Sequence, residues 1–225
     1  MMDKNYISAE LENKMFVNEN PFPFAYIEGL LPTEIAKKAE IEFLEFNKLE
    51  NAGNKRYQNT KVVFNEFENM PGTIKDIISF LYSKQFMYLL EKKFNLPTLE
   101  PDWSLHGGGM HQSFNGGFLK VHSDFIYKRK SKQKRVLNLL LYLNSNWKNE
   151  WNGSIEFWDK HMKNLKFSTP PIINNAVVFP AGHIIQTVTD QHVGSGSITV
   201  TTTSNDYLGS NLQCTITPKA NGNKL

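Results

Sequence analysis

The chain has 225 residues, a formal net charge of +3, a hydrophobic share of 40% and an aromatic share of 12%. Single domains commonly run to roughly 100–250 residues, so the length supports one substantial core; sixteen Phe, eight Tyr and four Trp exclude wholesale disorder. The single cysteine, Cys214, excludes an intramolecular disulfide framework and a cysteine-rich metal site, whereas six histidines leave a histidine/carboxylate site open.

The first residues, MMDKNYISAELENK, lack the charged-then-apolar pattern of a signal peptide. Apolar stretches such as 136–143 are too short to cross a bilayer. The expectation is a soluble, cytoplasmic protein with no membrane partner. Residues 20–30 (NPFPFAYIEGL) read as a leading strand. Pro32-Thr33-Glu34 then opens a helix to about residue 46, with Thr33 as cap and Ile35, Ala36, Ala39, Ile41, Phe43 and Leu44 as its apolar positions. A second helical block over 73–93 is apolar enough to pack on a sheet.

After Pro97 the texture changes to short β-rich runs separated by Gly, Asn and Pro: 104–113, 117–122, 135–144, 154–159, 176–181, 184–189 and 198–204. Helices first and strands after predict an α+β fold, a double-stranded β-helix (jelly-roll) barrel buttressed by N-terminal helices. Residues 1–100 supply the leading strand and supporting helices of the same domain, 101–206 the core, and 207–225 a poorly packed tail. No repeat or linker divides the chain.

The basic run Lys128-Arg129-Lys130-Ser131-Lys132-Gln133-Lys134-Arg135 could track phosphates, but a solvated loop between strands is the preferred reading. Net charge is too small to favour nucleic acid as a partner. A sharper signal is His122-Ser123-Asp124, which follows the strand GGFLKV. Residues two apart on a strand share a face, so an imidazole and a carboxylate can hold one ion there. With a third ligand from a distant strand they would form the facial triad that suits non-haem iron(II). Taken alone, H-x-D also fits an exposed pair at a strand end.

The flanking blocks decide between these. GGGMHQSFNGGFLKVHSDF (107–125), RVLNLLLYLNSNWKNEWNGSIEFWD (135–159) and PIINNAVVFPAG (171–182) resemble the iron(II)/2-oxoglutarate-dependent oxygenases, most of all their prolyl-4-hydroxylase-like branch. The resemblance covers about residues 100–206 in order and approximate distance. NPFPFAYIEGLLPTEIAKKAE also resembles that branch's leading strand and helix. It implies His122 and Asp124 as iron ligands, with Fe(II) and 2-oxoglutarate as cofactors. It also implies Tyr142 as a hydrogen-bond partner of the cosubstrate carboxylate. His111 and Gln112 lie near a position that carries a further cosubstrate contact. Lys120 is read as a rim lysine, and His106 and His161 as ordinary strand and loop residues.

The pattern breaks at its end. By the family's spacing the third ligand, a histidine, falls on Gln186, and the basic residue that pairs with 2-oxoglutarate falls on Ser195. A neutral amide is a poorer donor to iron(II) than imidazole. Ser195, or Ser197, offers a hydrogen bond without charge, about half the strength of a charge-assisted pair. His183 is the alternative third ligand, through an unusually tight turn after Gly182, and His192 a weaker one. Two functions follow from this: a dioxygenase hydroxylating a C–H bond of a peptide, protein or small molecule, or a catalytically impaired binding or scaffolding protein on the same fold. Residues 50–65 and 128–135 are the candidate substrate-facing segments.

Overall fold

Four α-helices, two short 3-10 helices and thirteen strands are seen in a computed structural model that describes residues 9–50, 56–57, 61–113, 118–127, 134–189 and 195–204. The chain begins with α1 (Ala9–Lys14), β1 (Val17–Asn18), β2 (Phe24–Ile27) and α2 (Thr33–Glu50). It continues through β3 (Arg56–Tyr57), β4 (Lys61–Phe64), α3 (Gly72–Leu81) and α4 (Lys84–Phe94). The β-rich part holds β5 (Glu100–Pro101), β6 (Gly109–Ser113), β7 (Phe118–Ser123), β8 (Lys134–Tyr142), β9 (Asn152–Trp158) and β10 (Leu165–Thr169). It closes with β11 (Ala176–Pro180), β12 (Ile184–Thr189) and β13 (Ser195–Ser204). The expected tail beyond residue 206, Cys214, His192 and residues 128–133 of the basic run lie outside the described residues.

Strand pairing gives two antiparallel sheets. The larger runs β1-β2-β11-β8-β13-β6-β4-β3, with β5 paired to β13, and the smaller runs β10-β9-β12-β7. The hydrophobic alternation of β8 explains the layering. Leu137, Leu139 and Leu141 join a cluster with Phe43 of α2, Ile74, Ile77, Ile78 and Phe80 of α3, and Phe86 and Leu90 of α4. Its other face carries Leu140 and Tyr142 into a second cluster with Phe22, Phe24, Val177 and Phe179, closed from the smaller sheet by Ile155, Phe157 and Ile185. Strands buried on both faces read as near-continuous apolar runs, as LNLLLY does. The helices therefore cover one face of the large sheet, and the small sheet packs on the other.

Several local expectations change. The helical block over 73–93 is two helices, because the Ser83 hydroxyl accepts from the Phe86 N–H at 3.3 Å and caps a new start. Within α2, Ala36, Ala39 and Phe43 are buried, but Ile41 and Leu44 are exposed; Ile41 lies about 140° round the helix from Ala36, off the packed stripe. The strand expected from 104 begins only at Gly109. Before it, Leu105 (φ 46°) and Gly107 (φ 74°) turn the chain left-handed, with Leu105 N–H bonded to the Asp102 carbonyl and Gly108 N–H to that of Leu105. Within the 50–65 segment, β4 pairs with β6 and so belongs to the large sheet. Helix α1 and strands β1, β3, β4, β5 and β10 were not expected from the sequence, and β13 starts at Ser195 rather than at 198.

Candidate metal centre

His122 lies on β7 opposite Ile185 of β12, and Ile185 is buried in the cluster between the sheets. Directly opposed residues share a face, so the strand register assigns His122 to the inter-sheet side. Asp124 follows two residues on, just past the strand end. His122 Nε2 and Asp124 Oδ1 stand 3.5 Å apart, with both side chains partly buried. That separation is long for a hydrogen bond. It is close to the spacing of two donors on one cation: each about 2.1 Å from the ion and roughly 90–110° apart, they would be about 3.0–3.4 Å from one another.

The second carboxylate oxygen, Asp124 Oδ2, accepts a hydrogen bond from Asn138 Nδ2 at 2.7 Å. Asn138 is 1% exposed and stands in β8, four residues before Tyr142. Close by, the buried Arg135 guanidinium lies 3.8 Å from the centroid of the Phe125 ring and donates to the His106 carbonyl at 2.7 Å. Burial pulls its pKa down, while the charges of Asp124 and Asp102 pull it up. Arg135 thus ties the segment just after Asp124 to the turn at 102–108. Sequence reasoning assigned neither Asn138 nor Arg135 to the site. The available signal was a polar residue inside the apolar run LNLLLY and a cation at its head.

The cosubstrate candidates fall on one row of the large sheet. His111 of β6 pairs with Ser197 of β13, and Ser197 pairs with Tyr142 of β8. Ser195 pairs with Ser113, two residues further along. Tyr142 is 6% exposed and its pKa is raised by burial, which keeps the phenol protonated and able to donate. A ring nitrogen of His111 lies 3.1 Å from the Gly108 carbonyl.

The remaining candidates are arranged differently. Gln186 is paired with Glu156 of β9, and the register shift of β12 against β7 falls between Ile185 and Thr187. His183 stacks on Phe22, with ring centroids 4.3 Å apart and planes 19° from parallel, and burial lowers its pKa. Among the described residues, no third His, Cys, Asp or Glu joins His122 and Asp124. The pair thus fits part of a divalent-cation site. The described His, Cys, Asp and Glu residues do not complete it.

Residues 108–201 match the family described as the 2OG-Fe(II) oxygenase superfamily. Over that stretch the chain is similar to that superfamily. A likeness of fold extends beyond that stretch into the helices. A prolyl-4-hydroxylase from Pseudomonas putida superposes with a TM-score of 0.59 at 14% identity, over 80% of this chain and 91% of its own. A prolyl hydroxylase from Trichoplax adhaerens, solved in complex with a peptide fragment of the hypoxia inducible factor oxygen degradation domain, gives 0.62 at 16% identity. That alignment covers 89% of this chain and 95% of the other. No curated protein matches the chain. At such identities the superpositions establish the fold. Among the described residues, no helix is long and apolar enough to cross a membrane.

Proposed function

We propose that the protein is an iron(II)/2-oxoglutarate-dependent dioxygenase on a double-stranded β-helix barrel, hydroxylating a C–H bond of a peptide, protein or small molecule. The observation that carries this reading is the His122–Asp124 pair, whose donor atoms stand 3.5 Å apart at the end of β7. In this reading His122 and Asp124 hold the metal, and Gln186 is the third donor by spacing, which requires the irregularity at 185–187 of β12 to turn it toward His122. Tyr142, His111 and Ser195 receive the cosubstrate, Tyr142 as the phenol donor. When bound, iron(II) with 2-oxoglutarate as reductant would activate dioxygen, the oxidant needed for an unactivated C–H bond. The chain's own contribution is orientation and exclusion of water. Asn138 holds one oxygen of Asp124, and the aromatic cluster of Phe22, Phe24, Phe157 and Phe179 fills the space between the sheets. Residues 1–100 and 101–206 act as one unit in this proposal, since helices and strands share one buried cluster.

A second reading is a binding or scaffolding protein that keeps the oxygenase fold. It is favoured by Gln186 and Ser195 at the positions where the resemblance implies an imidazole and a cation. It is favoured too by the want of a third His, Cys, Asp or Glu beside the pair among the described residues. One measurement separates the two. Anaerobic titration of the full chain with iron(II) and 2-oxoglutarate is expected to develop the weak visible charge-transfer band of the ternary complex. No band, together with no thermal stabilisation by either component, overturns the dioxygenase reading in favour of the scaffold.

A further inference from the structure

Asn138 is out of place in its strand. Leu137, Leu139, Leu140 and Leu141 flank it along the strand, it is 1% exposed, and its Oδ1 is buried with no hydrogen-bond partner among the described residues. An unsatisfied buried acceptor is destabilising, and a leucine of similar size would remove that cost and add apolar burial. Fold stability therefore gives no reason for an amide at this position. Its side-chain hydrogen bond gives one: Nδ2 donates to Asp124 Oδ2 at 2.7 Å.

The consequence for Asp124 is geometric. A free carboxylate rotates and offers either oxygen, or both, to a cation. With Oδ2 held by the amide, the oxygen turned toward His122 Nε2 is Oδ1, at 3.5 Å. The two contacts divide the carboxylate between a support and a ligand. They also link the two sheets, because Asn138 stands on β8 of the large sheet and His122 on β7 of the small one.

We propose that Asn138 is a positioning residue of the metal centre, fixing Asp124 as a one-oxygen ligand beside His122. This rests on the metal reading given above. Groups that hydrogen-bond metal ligands commonly contribute about 10–100-fold in metal affinity.

The test is titration of the full-length protein with manganese(II), a redox-stable stand-in for iron(II), followed by electron paramagnetic resonance. The native chain is compared with Asn138→Leu and Asn138→Ser. Asn138→Leu is expected to unfold at an unchanged or higher urea concentration without metal, yet to bind manganese(II) about 10–100-fold more weakly. At saturation its spectrum is expected to differ from the native one, because the amide no longer holds Oδ2 of the carboxylate. Asn138→Ser, whose shorter side chain leaves room for a bridging water, is expected to fall between. Native-like affinity and spectrum in Asn138→Leu overturn the proposal while leaving the metal reading standing. Should Asn138→Leu fail to fold, native-like binding by Asn138→Ser overturns it equally. Failure of the native chain to take up manganese(II) overturns the metal reading, and this proposal with it.

Discussion

His183 lies against the ring of Phe22, and burial lowers its pKa below the ordinary 6.5. A buried imidazole resists protonation, so the unfolded chain gains its proton first as pH falls. Stability from this group is fully present above the unfolded pKa and is lost as pH drops through 6.5 and below. His183→Phe keeps an aromatic ring on Phe22 and is expected to flatten that acid-side loss, seen in urea midpoints measured at about pH 8 and about pH 5.5. Gln186 yields a second expectation. Replacing its amide with imidazole is expected to raise manganese(II) affinity about tenfold, or about 1.4 kcal/mol. Ile185→His is the informative control, since Ile185 is the residue directly opposite His122. A larger gain from Ile185→His would move the third-ligand position one residue back along β12. The pair His122 and Asp124 was legible because a spacing of two on a strand is a chemical statement in itself. Asn138 was not, because nothing in the chain announces which carboxylate a buried amide will meet across the sheet boundary.

Among the elements, α2, the helical character of 73–93 and most strands were legible from apolar periodicity, whereas α1 was not, and the misses described here have local causes. Ser83 hides a helix start inside an apolar run, since its hydroxyl caps only if the chain breaks there. Ser83→Ala is expected to cost about 1 kcal/mol in urea unfolding. Gly109 opens β6 at φ 99°, and a Cβ there would collide with the Phe64 carbonyl of the neighbouring β4. Both the conformation and the close approach demand glycine. Gly109→Ala is expected to destabilise by about 1–3 kcal/mol, with hydrogen-exchange protection lost first in β4. The register of β12 was beyond sequence reasoning for a related reason. One shifted residue exchanges the faces of everything after it, and the irregularity at 185–187 leaves no mark in composition.

Across the whole molecule, two clusters divide the labour. One joins α2, α3 and α4 to the large sheet, and the other joins the large sheet to the small. Phe157 is 0% exposed and touches the rings of Phe22, Phe24, Phe167 and Phe179 at centroid distances of 4.8–5.4 Å. Phe157→Ala is expected to cost about 3–5 kcal/mol in equilibrium unfolding. The α+β layering was foreseeable because helices precede strands in the chain. The division of the strands into sheets of nine and four was not, because pairing partners distant in sequence carry no short-range signature.

The aromatic cluster between the sheets has a bearing on how such a centre can change. Its buried members are Phe22, Phe24, Tyr142, Ile155, Phe157, Val177, Phe179 and Ile185; Tyr142 alone among them is a candidate ligand-contacting residue. That cement between the layers is wholly apolar apart from the Tyr142 phenol, whereas His122 and Asp124 are partly exposed. Substituting either of those two donors leaves the cement in place, so the chemistry of the pair can drift while the layers stay joined.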